Sequence, residues 1–188
     1  FSGAKADLAE LYKNVPGQNN EEKFIYSVKN YIIGQDNGDA KYGGKTTILT
    51  DLGISRSEFD ALPEGVRKEL VDWKFNTGRG TADVVLIAAG GDWDADRGYR
   101  NNSPTPDKLV VDDPSNPGKK KPIDLKNLDV AKLKAARQAL YKGRIDGLRA
   151  DIKSGKVNPN DKPKGSTETY AEILKFAEDG YNNSQQYR

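Results

Sequence analysis

Residues 81–89 form a nearly unbroken apolar run, and this run constrains the fold more than any other segment of the 188-residue chain. A helix that is apolar on all sides must be buried, so we expect this segment to lie in the core. The preceding segment, from Pro63 to about Asn76, carries apolar residues at helical spacing. A glycine-containing break, Thr77 to Gly80, separates the two. We predict that these two helices form the centre of the core.

Further helices are predicted where apolar residues recur at helical spacing behind capping residues. They cover residues 4–15, about 20–34, 55–62, about 128–154 and 166–179. The second of these has an apolar face, made of Phe24, Ile25, Val28, Tyr31 and Ile32. Residues 35–45 are rich in Gly and Asp and predict a loop or hairpin, with a short strand at 46–49. Residues 108–112 and 121–123 predict a second, weak hairpin.

The predicted fold class is therefore mostly α (α+β), with a small β-hairpin. Residues 1–125 are expected to form the core of one domain, and the helices of 126–188 to complete or flank it. The chain begins with Phe1 and contains no Met, from which we expect a processed product or a piece of a longer chain. Its localisation would then depend on the missing part.

The absence of Cys and His restricts the chemistry open to this chain. Disulfides, thiolate metal sites, and Ser-His-Asp or Cys-His catalysis are excluded within it. Any reaction must use carboxylates, lysine, tyrosine or hydroxyl groups, and we expect no cofactor and no metal. The Asp36-Asn-Gly-Asp39 run lacks the downstream Glu of a calcium loop. It remains open whether this run is a catalytic loop or a solvated turn.

Charge and hydropathy also restrict the partners. The formal net charge is +2, with 30 basic and 28 acidic residues, which gives no electrostatic case for nucleic-acid binding. No apolar run approaches the roughly 20 residues that span a membrane. We therefore expect neither a nucleic-acid partner nor a membrane.

The segment from Glu69 to Gly78, Glu-Leu-Val-Asp-Trp-Lys-Phe-Asn-Thr-Gly, resembles part of the phage-type lysozymes and related N-acetylmuramidases. In those families a buried helix ends in an aromatic-Asn-x-Gly turn, followed by a second helix, a Gly-Asp-Trp-like segment and an Arg. Here residues 82–89, Gly91-Asp-Trp93 and Arg97 follow in the same order. The resemblance covers roughly residues 20–100. It implies a lysozyme-like, two-lobed helical domain acting on peptidoglycan or a related amino-sugar polymer.

The resemblance also implies where catalytic groups should lie, and this chain departs from the family there. The family's second helix ends in a Glu followed by Gly, whereas residues 33–36 read Ile-Gly-Gln-Asp. Asp36 could replace the acid, or Glu21 or Glu22 could be the acid with Asp39 as its partner. If Gln35 occupies the acid position instead, the site is inactive, because an amide does not donate a proton usefully at neutral pH.

The resemblance places Tyr42 and Thr47 in the hairpin that follows, so both are candidate substrate-binding residues. Asn76, Trp93 and Arg79 are further candidates, from the turn after the buried helix and the segment beyond it. Each has a structural alternative. Asn76 could only cap its helix, Arg79 could tie the loop after Gly90 to the core, and Trp93 could pack without contacting a ligand.

Three functional hypotheses remain open. The first is a glycoside hydrolase that cleaves peptidoglycan strands with two carboxylates, in a phage or injection machine acting at the periplasm or cell wall. The second is a catalytically inactive lysozyme-like domain that serves as a structural or cargo part of a phage tail or secretion apparatus. The third is a helical interaction module with the long helix 128–154 as its partner surface.

Overall fold

The computed structural model describes residues 13–36, 41–42, 45–100 and 103–186. The helices in this part of the chain are α1 (Asn20–Ile33), α2 (Ile48–Leu52), α3 (Arg56–Asp60), α4 (Glu64–Thr77), α5 (Ala82–Ala88), α6 (Ala95–Arg100), α7 (Val130–Lys153) and α8 (Tyr170–Gln186). The strands are β1 (Lys41–Tyr42), β2 (Lys45–Thr46), β3 (Val110–Asp112) and β4 (Lys120–Pro122). Strand β1 pairs with β2, and β3 pairs with β4, each as an antiparallel hairpin. The fold is mostly α with small hairpins, which confirms the predicted fold class.

The long helix α7 is the element on which most of the others pack. It contacts α4, α5, α6 and α8. Gly143 and Gly147 let α6 approach closely, because a Cβ on Gly143 would lie 2.6 Å from the backbone of Ala95. The ring of Trp73 in α4 meets Tyr141 of α7 edge-on, with 5.3 Å between ring centroids. Trp73 is therefore a core residue, as its place in an apolar helix predicted.

The two helices predicted at the centre of the core are there. Helix α5 is buried along nearly its whole length, and α4 buries one side that includes Val66, Leu70 and Trp73. The same hydrophobic cluster takes in Ile32 near the N-terminus and Leu133 and Ala177 beyond residue 126. Residues on both sides of position 125 thus contribute to one core.

Several boundaries follow the capping residues that the sequence offers. Asn19 caps α1 through its side chain, and Ser55 and Glu58 form a reciprocal capping box at the start of α3. Gly78 ends α4 in the left-handed conformation, with φ 63°. These boundaries agree with the predictions. The helix predicted for residues 4–15 lies for the most part outside the described residues.

The predicted apolar face of α1 is only partly buried among the described residues. Ile32 is buried and Val28 is half-buried, but Phe24, Ile25 and Tyr31 are 42%, 46% and 55% exposed. The periodicity was sufficient to predict the helix. It did not determine how much of that face the described residues cover, because only the last turn of α1 enters the core.

Three other boundaries differ from the predictions. The strand expected at 46–49 ends at Thr46, because the Thr47 side chain caps α2 instead. Helix α6 was not predicted, since its sequence is polar and contains Gly98. It forms where close packing on α7 is available. The last helix begins at Tyr170 rather than 166, since the Thr169 hydroxyl accepts the backbone N–H of Glu172.

None of the described helices combines the length and apolar character that crossing a membrane requires.

Candidate functional site

The end of α1 and the first hairpin are the region in which the resemblance places catalysis. Gly34 ends α1 with φ 97°, and a Cβ there would lie 2.6 Å from Thr47 Oγ1. Glycine is therefore needed at this position for its conformation and for its lack of a side chain. Thr47, a candidate substrate-binding residue, is 2% exposed and caps α2. Its side chain closes the junction between α1 and α2 and does not face solvent.

Asp36 lies just beyond this junction and joins α1 to α3. Its Oδ1 accepts the backbone N–H of Arg56, with 2.8 Å between the heavy atoms. The Arg56 guanidinium reaches back to the carbonyl oxygen of Gly34 at 3.0 Å and to Asn30 Oδ1 at 2.6 Å. Asp36 and Arg56 together fasten the end of α1 to the start of α3. Asp36 and the neighbouring Gln35 are both exposed to solvent.

Glu22 lies in the first turn of α1, at the opposite end of the helix. Its Oε2 accepts the backbone N–H of Gln18 at 2.7 Å, while its own N–H donates to Asn19 Oδ1 at 2.9 Å. The helical rise of about 1.5 Å per residue puts roughly 16 Å between Glu22 and the last residue of α1, Ile33. Paired glycosidase carboxylates are about 5–9.5 Å apart. The structure therefore does not bring Glu22 and Asp36 into one site.

The first hairpin is present where it was expected. Lys41 pairs with Thr46, and Tyr42 pairs with Lys45. Asp39, the predicted partner carboxylate, and the side chain of Tyr42 lie outside the described residues. Their predicted roles stay predictions.

A groove of about 650 Å³ runs along the exposed side of α1. Residues 14–16 line it together with Tyr26, Ser27, Asn30, Tyr31, Gly34 and Gln35. We call this the α1 groove. Tyr26 and Tyr31 are 44% and 55% exposed, so their rings offer flat apolar surfaces beside amide and hydroxyl groups. That combination can stack on the face of a sugar ring and hydrogen-bond to its hydroxyls.

The candidates after α4 have structural partners. Asn76 Nδ2 donates to the carbonyl oxygen of Asp72 at 2.9 Å. Arg79 donates to the carbonyl oxygen of Gly98 in α6, and its Nη2 lies 3.6 Å from Asp83 Oδ2. Arg79 thus ties the segment after Gly90 to the core. Trp93 is half-buried against the core, with the Arg97 guanidinium 5.5 Å from its ring centroid.

A buried ionic network between α2, α4 and α5 was missed by the sequence analysis. Lys74 is 0% and Asp51 is 9% exposed. Lys74 Nζ donates to Asp51 Oδ2 at 2.6 Å, and the same oxygen accepts the backbone N–H of Thr81 at 3.0 Å and its hydroxyl at 3.2 Å. Thr46 Oγ1 donates to Asp51 Oδ1 at 2.5 Å. Each oxygen of Asp51 is therefore satisfied, as a buried carboxylate requires.

Asp83 is a second buried acid, in the middle of the apolar helix α5. Its Oδ1 accepts the backbone N–H of Val84 at 2.8 Å, and its Oδ2 has no hydrogen-bond partner among the described residues. Burial raises the pKa of Asp83 to about 6, and the positive charge of Arg79 opposes that shift. With 0% exposure, the carboxyl cannot touch a substrate. An acid within an otherwise apolar run was the sequence signal that marks this residue.

Neither a search for metal-binding groups nor comparison with known proteins indicates a reaction. Among the described residues, no group of three or more Asp, Glu, His or Cys is arranged to hold a metal ion. No family model, curated protein or solved structure matches this chain.

Proposed function

We propose that this chain is a catalytically inactive, lysozyme-like domain that holds a glycan strand as a structural or cargo part of a phage tail or secretion apparatus. The proposal rests on the hydrogen bonds that the described candidate carboxylates make. Asp36 and Glu22 each accept a backbone N–H beside a helix terminus, at opposite ends of α1. This use supports structural roles, in which Asp36 joins α1 to α3 and Glu22 caps the start of α1.

A general acid for glycoside cleavage must carry a proton at neutral pH, which requires an apolar pocket that opens onto the substrate. Asp83 has such surroundings but is fully buried. Asp36 reaches solvent and accepts the backbone N–H of Arg56. A general acid needs both a raised pKa and access to the substrate. Of these two aspartates, Asp83 has the raised pKa but no access, and Asp36 has access but no enclosing apolar pocket. This division supports binding rather than hydrolysis.

The α1 groove supports a glycan as the ligand. Its exposed tyrosine rings and its amide and hydroxyl side chains are uncharged. An uncharged lining of this kind suits a sugar polymer better than it suits a nucleic acid, which requires clustered basic residues. We therefore place the peptidoglycan strand, or a related amino-sugar polymer, along α1.

Co-sedimentation with purified, insoluble peptidoglycan tests this proposal. We expect the wild-type chain to pellet with the polymer, and Tyr31→Ala and Tyr26→Ala to weaken binding about tenfold through loss of a stacking surface. Phe75→Ala is the matched control, because Phe75 is 60% exposed and does not line the groove. Equal binding by all four proteins would exclude the α1 groove. Clearing of the suspension by the wild type would instead support the hydrolase hypothesis.

A further inference from the structure

One side chain that lines the α1 groove has its amide orientation fixed by a neighbour. The Arg56 guanidinium donates to Asn30 Oδ1, with 2.6 Å between the heavy atoms. A guanidinium has only donors, so the oxygen of the amide must face Arg56, and the Nδ2 group with its two N–H donors is left over. Nδ2 has no hydrogen-bond partner in the described part of the chain. We propose that Asn30, held in this orientation, makes the α1 groove selective for glycans whose amino groups are acetylated.

Arg56 is itself fastened, and it therefore holds the amide in place. Its Nη1 donates to the carbonyl oxygen of Gly34 at 3.0 Å, and its Nε donates to Asp60 Oδ1 at 3.1 Å. Each nitrogen of the guanidinium thus has its own acceptor. The Asn30 amide is preorganised, so its donors do not have to be ordered when a ligand binds.

The surroundings of Asn30 match an acetamido group. Tyr26 precedes Asn30 by four residues and Ser27 by three, and this spacing puts all of them on one face of α1. An acetamido group has a carbonyl oxygen beside a methyl group. The oxygen can accept from Asn30 Nδ2, while the methyl group lies on the exposed ring of Tyr26.

A protonated amino group, as in a deacetylated sugar, does not match these surroundings. An ammonium has donors and no acceptor, so it would meet the Asn30 Nδ2 group donor to donor. No acidic residue is among the described residues that line the groove, and the ammonium would lose hydration without gaining a counter-charge. This inference rests on the glycan binding proposed above and adds which glycan the groove accepts.

Two soluble oligosaccharides of equal length test the selectivity: an oligomer of N-acetylglucosamine and its fully deacetylated counterpart. Calorimetry with the full-length chain at mildly acidic pH, where the free amine is protonated, measures both affinities. We expect the wild type to bind the acetylated oligomer about tenfold more tightly, an effect of the size that one hydrogen bond provides.

The outcomes separate this inference from the proposed function. Equal affinities, or a preference for the deacetylated oligomer, would overturn the selectivity and leave glycan binding in place. Binding of neither oligomer would also overturn it, and co-sedimentation with peptidoglycan then shows whether the proposed function fails as well.

Asn30→Asp assigns the selectivity to this side chain. The variant keeps an acceptor for Arg56 and replaces the Nδ2 donors by an oxygen, so we expect it to prefer the deacetylated oligomer. Asn20→Asp is the matched control, because it introduces the same charge at the start of α1, outside the groove. It should keep the wild-type preference. A wild-type preference in Asn30→Asp would show that Asn30 does not determine selectivity.

Arg56→Lys tests whether Arg56 positions the amide. Lysine keeps the positive charge but lacks the planar fork that holds Asn30 and Gly34 together. We expect the ratio of the two affinities to fall in this variant, with circular dichroism to show that it is folded. An unchanged ratio would mean that Arg56 joins α1 to α3 without positioning Asn30.

Discussion

Asp51 and Asp36 both accept a backbone N–H from a helix that lies far away in the sequence, but they do so in opposite surroundings. Asp51 is buried and has a lysine, a backbone N–H and two threonine hydroxyls as donors. Asp36 is exposed and holds the start of α3 through one backbone N–H. The difference shows that position relative to the core determines what a carboxylate contributes. A buried carboxylate depends on its partners, while an exposed one is largely solvated.

The largest effect is expected for Lys74→Met, which removes the buried ammonium and leaves the Asp51 carboxylate without its counter-charge. Breaking a buried pair in this way costs about 3–5 kcal/mol of unfolding free energy. Urea denaturation measures the loss. Lys175→Met is the matched control, because that lysine is 75% exposed and pairs with Asp179 on one helix. We expect its cost to be about 0.3–0.5 kcal/mol. Equal costs would remove the distinction between buried and exposed charges.

The next effect is the pH dependence that Asp83 imposes. Its pKa is about 6 in the folded chain against an ordinary value of 3.8, so the folded state binds more protons between these values. The unfolding free energy should therefore fall as pH rises from about 4 to about 6, by up to roughly 3 kcal/mol from this group. Below that interval the contribution is fully present, and above it the contribution is lost.

Asp83→Asn isolates this contribution, because the amide does not ionise and can still accept the N–H of Val84. We expect the wild-type chain to lose stability relative to the variant as pH rises from 4 to 7, in urea denaturation at each pH. Asp179→Asn, on the surface of α8, provides a control for other pH effects. Parallel curves for wild type and Asp83→Asn would show that Asp83 has an ordinary pKa.

The smallest change in unfolding free energy is expected for substitutions of Asp36, the exposed carboxylate in the comparison with Asp51. Asp36→Ala removes the acceptor for the Arg56 N–H and should cost about 1 kcal/mol, as for the loss of a helix cap. Asp36→Asn keeps an Oδ1 acceptor and should lower the unfolding free energy by only a few tenths of a kcal/mol. Thermal unfolding of both variants checks the order. A loss of several kcal/mol in Asp36→Asn would mean that this carboxylate is as dependent on its charge as Asp51.

Local signals predicted much of the fold. The capping box at Ser55 and the glycine at position 78 identified helix ends, because they satisfy backbone groups of their own helix. The apolar run at 81–89 identified the core helix. Helix α6 could not be predicted in this way, since its stability comes from packing on Gly143 and Gly147, far away in the sequence.

The candidate site could be predicted from the sequence less well than the fold. Which carboxylates are buried depends on contacts between elements, and nothing near Asp51 in the sequence indicates that Lys74 and Thr81 will surround it. Arg79 was correctly considered as a tie between the core and the segment after Gly90. The exposure of Phe24 and Tyr31 on α1 shows the opposite limitation. Helical periodicity identifies an apolar face but does not specify what covers it.

The central claim of the proposed function is that Asp36 and Glu22 stabilise helix ends and do not cleave glycan. The most direct test incubates the folded wild-type chain with peptidoglycan from Gram-negative and Gram-positive cells, and measures newly formed reducing ends and loss of turbidity. We expect binding without either change. Lysis by the wild type would contradict the claim. If one folded variant among Asp36→Asn, Asp39→Asn and Glu22→Gln then loses this activity, that variant identifies the catalytic carboxylate.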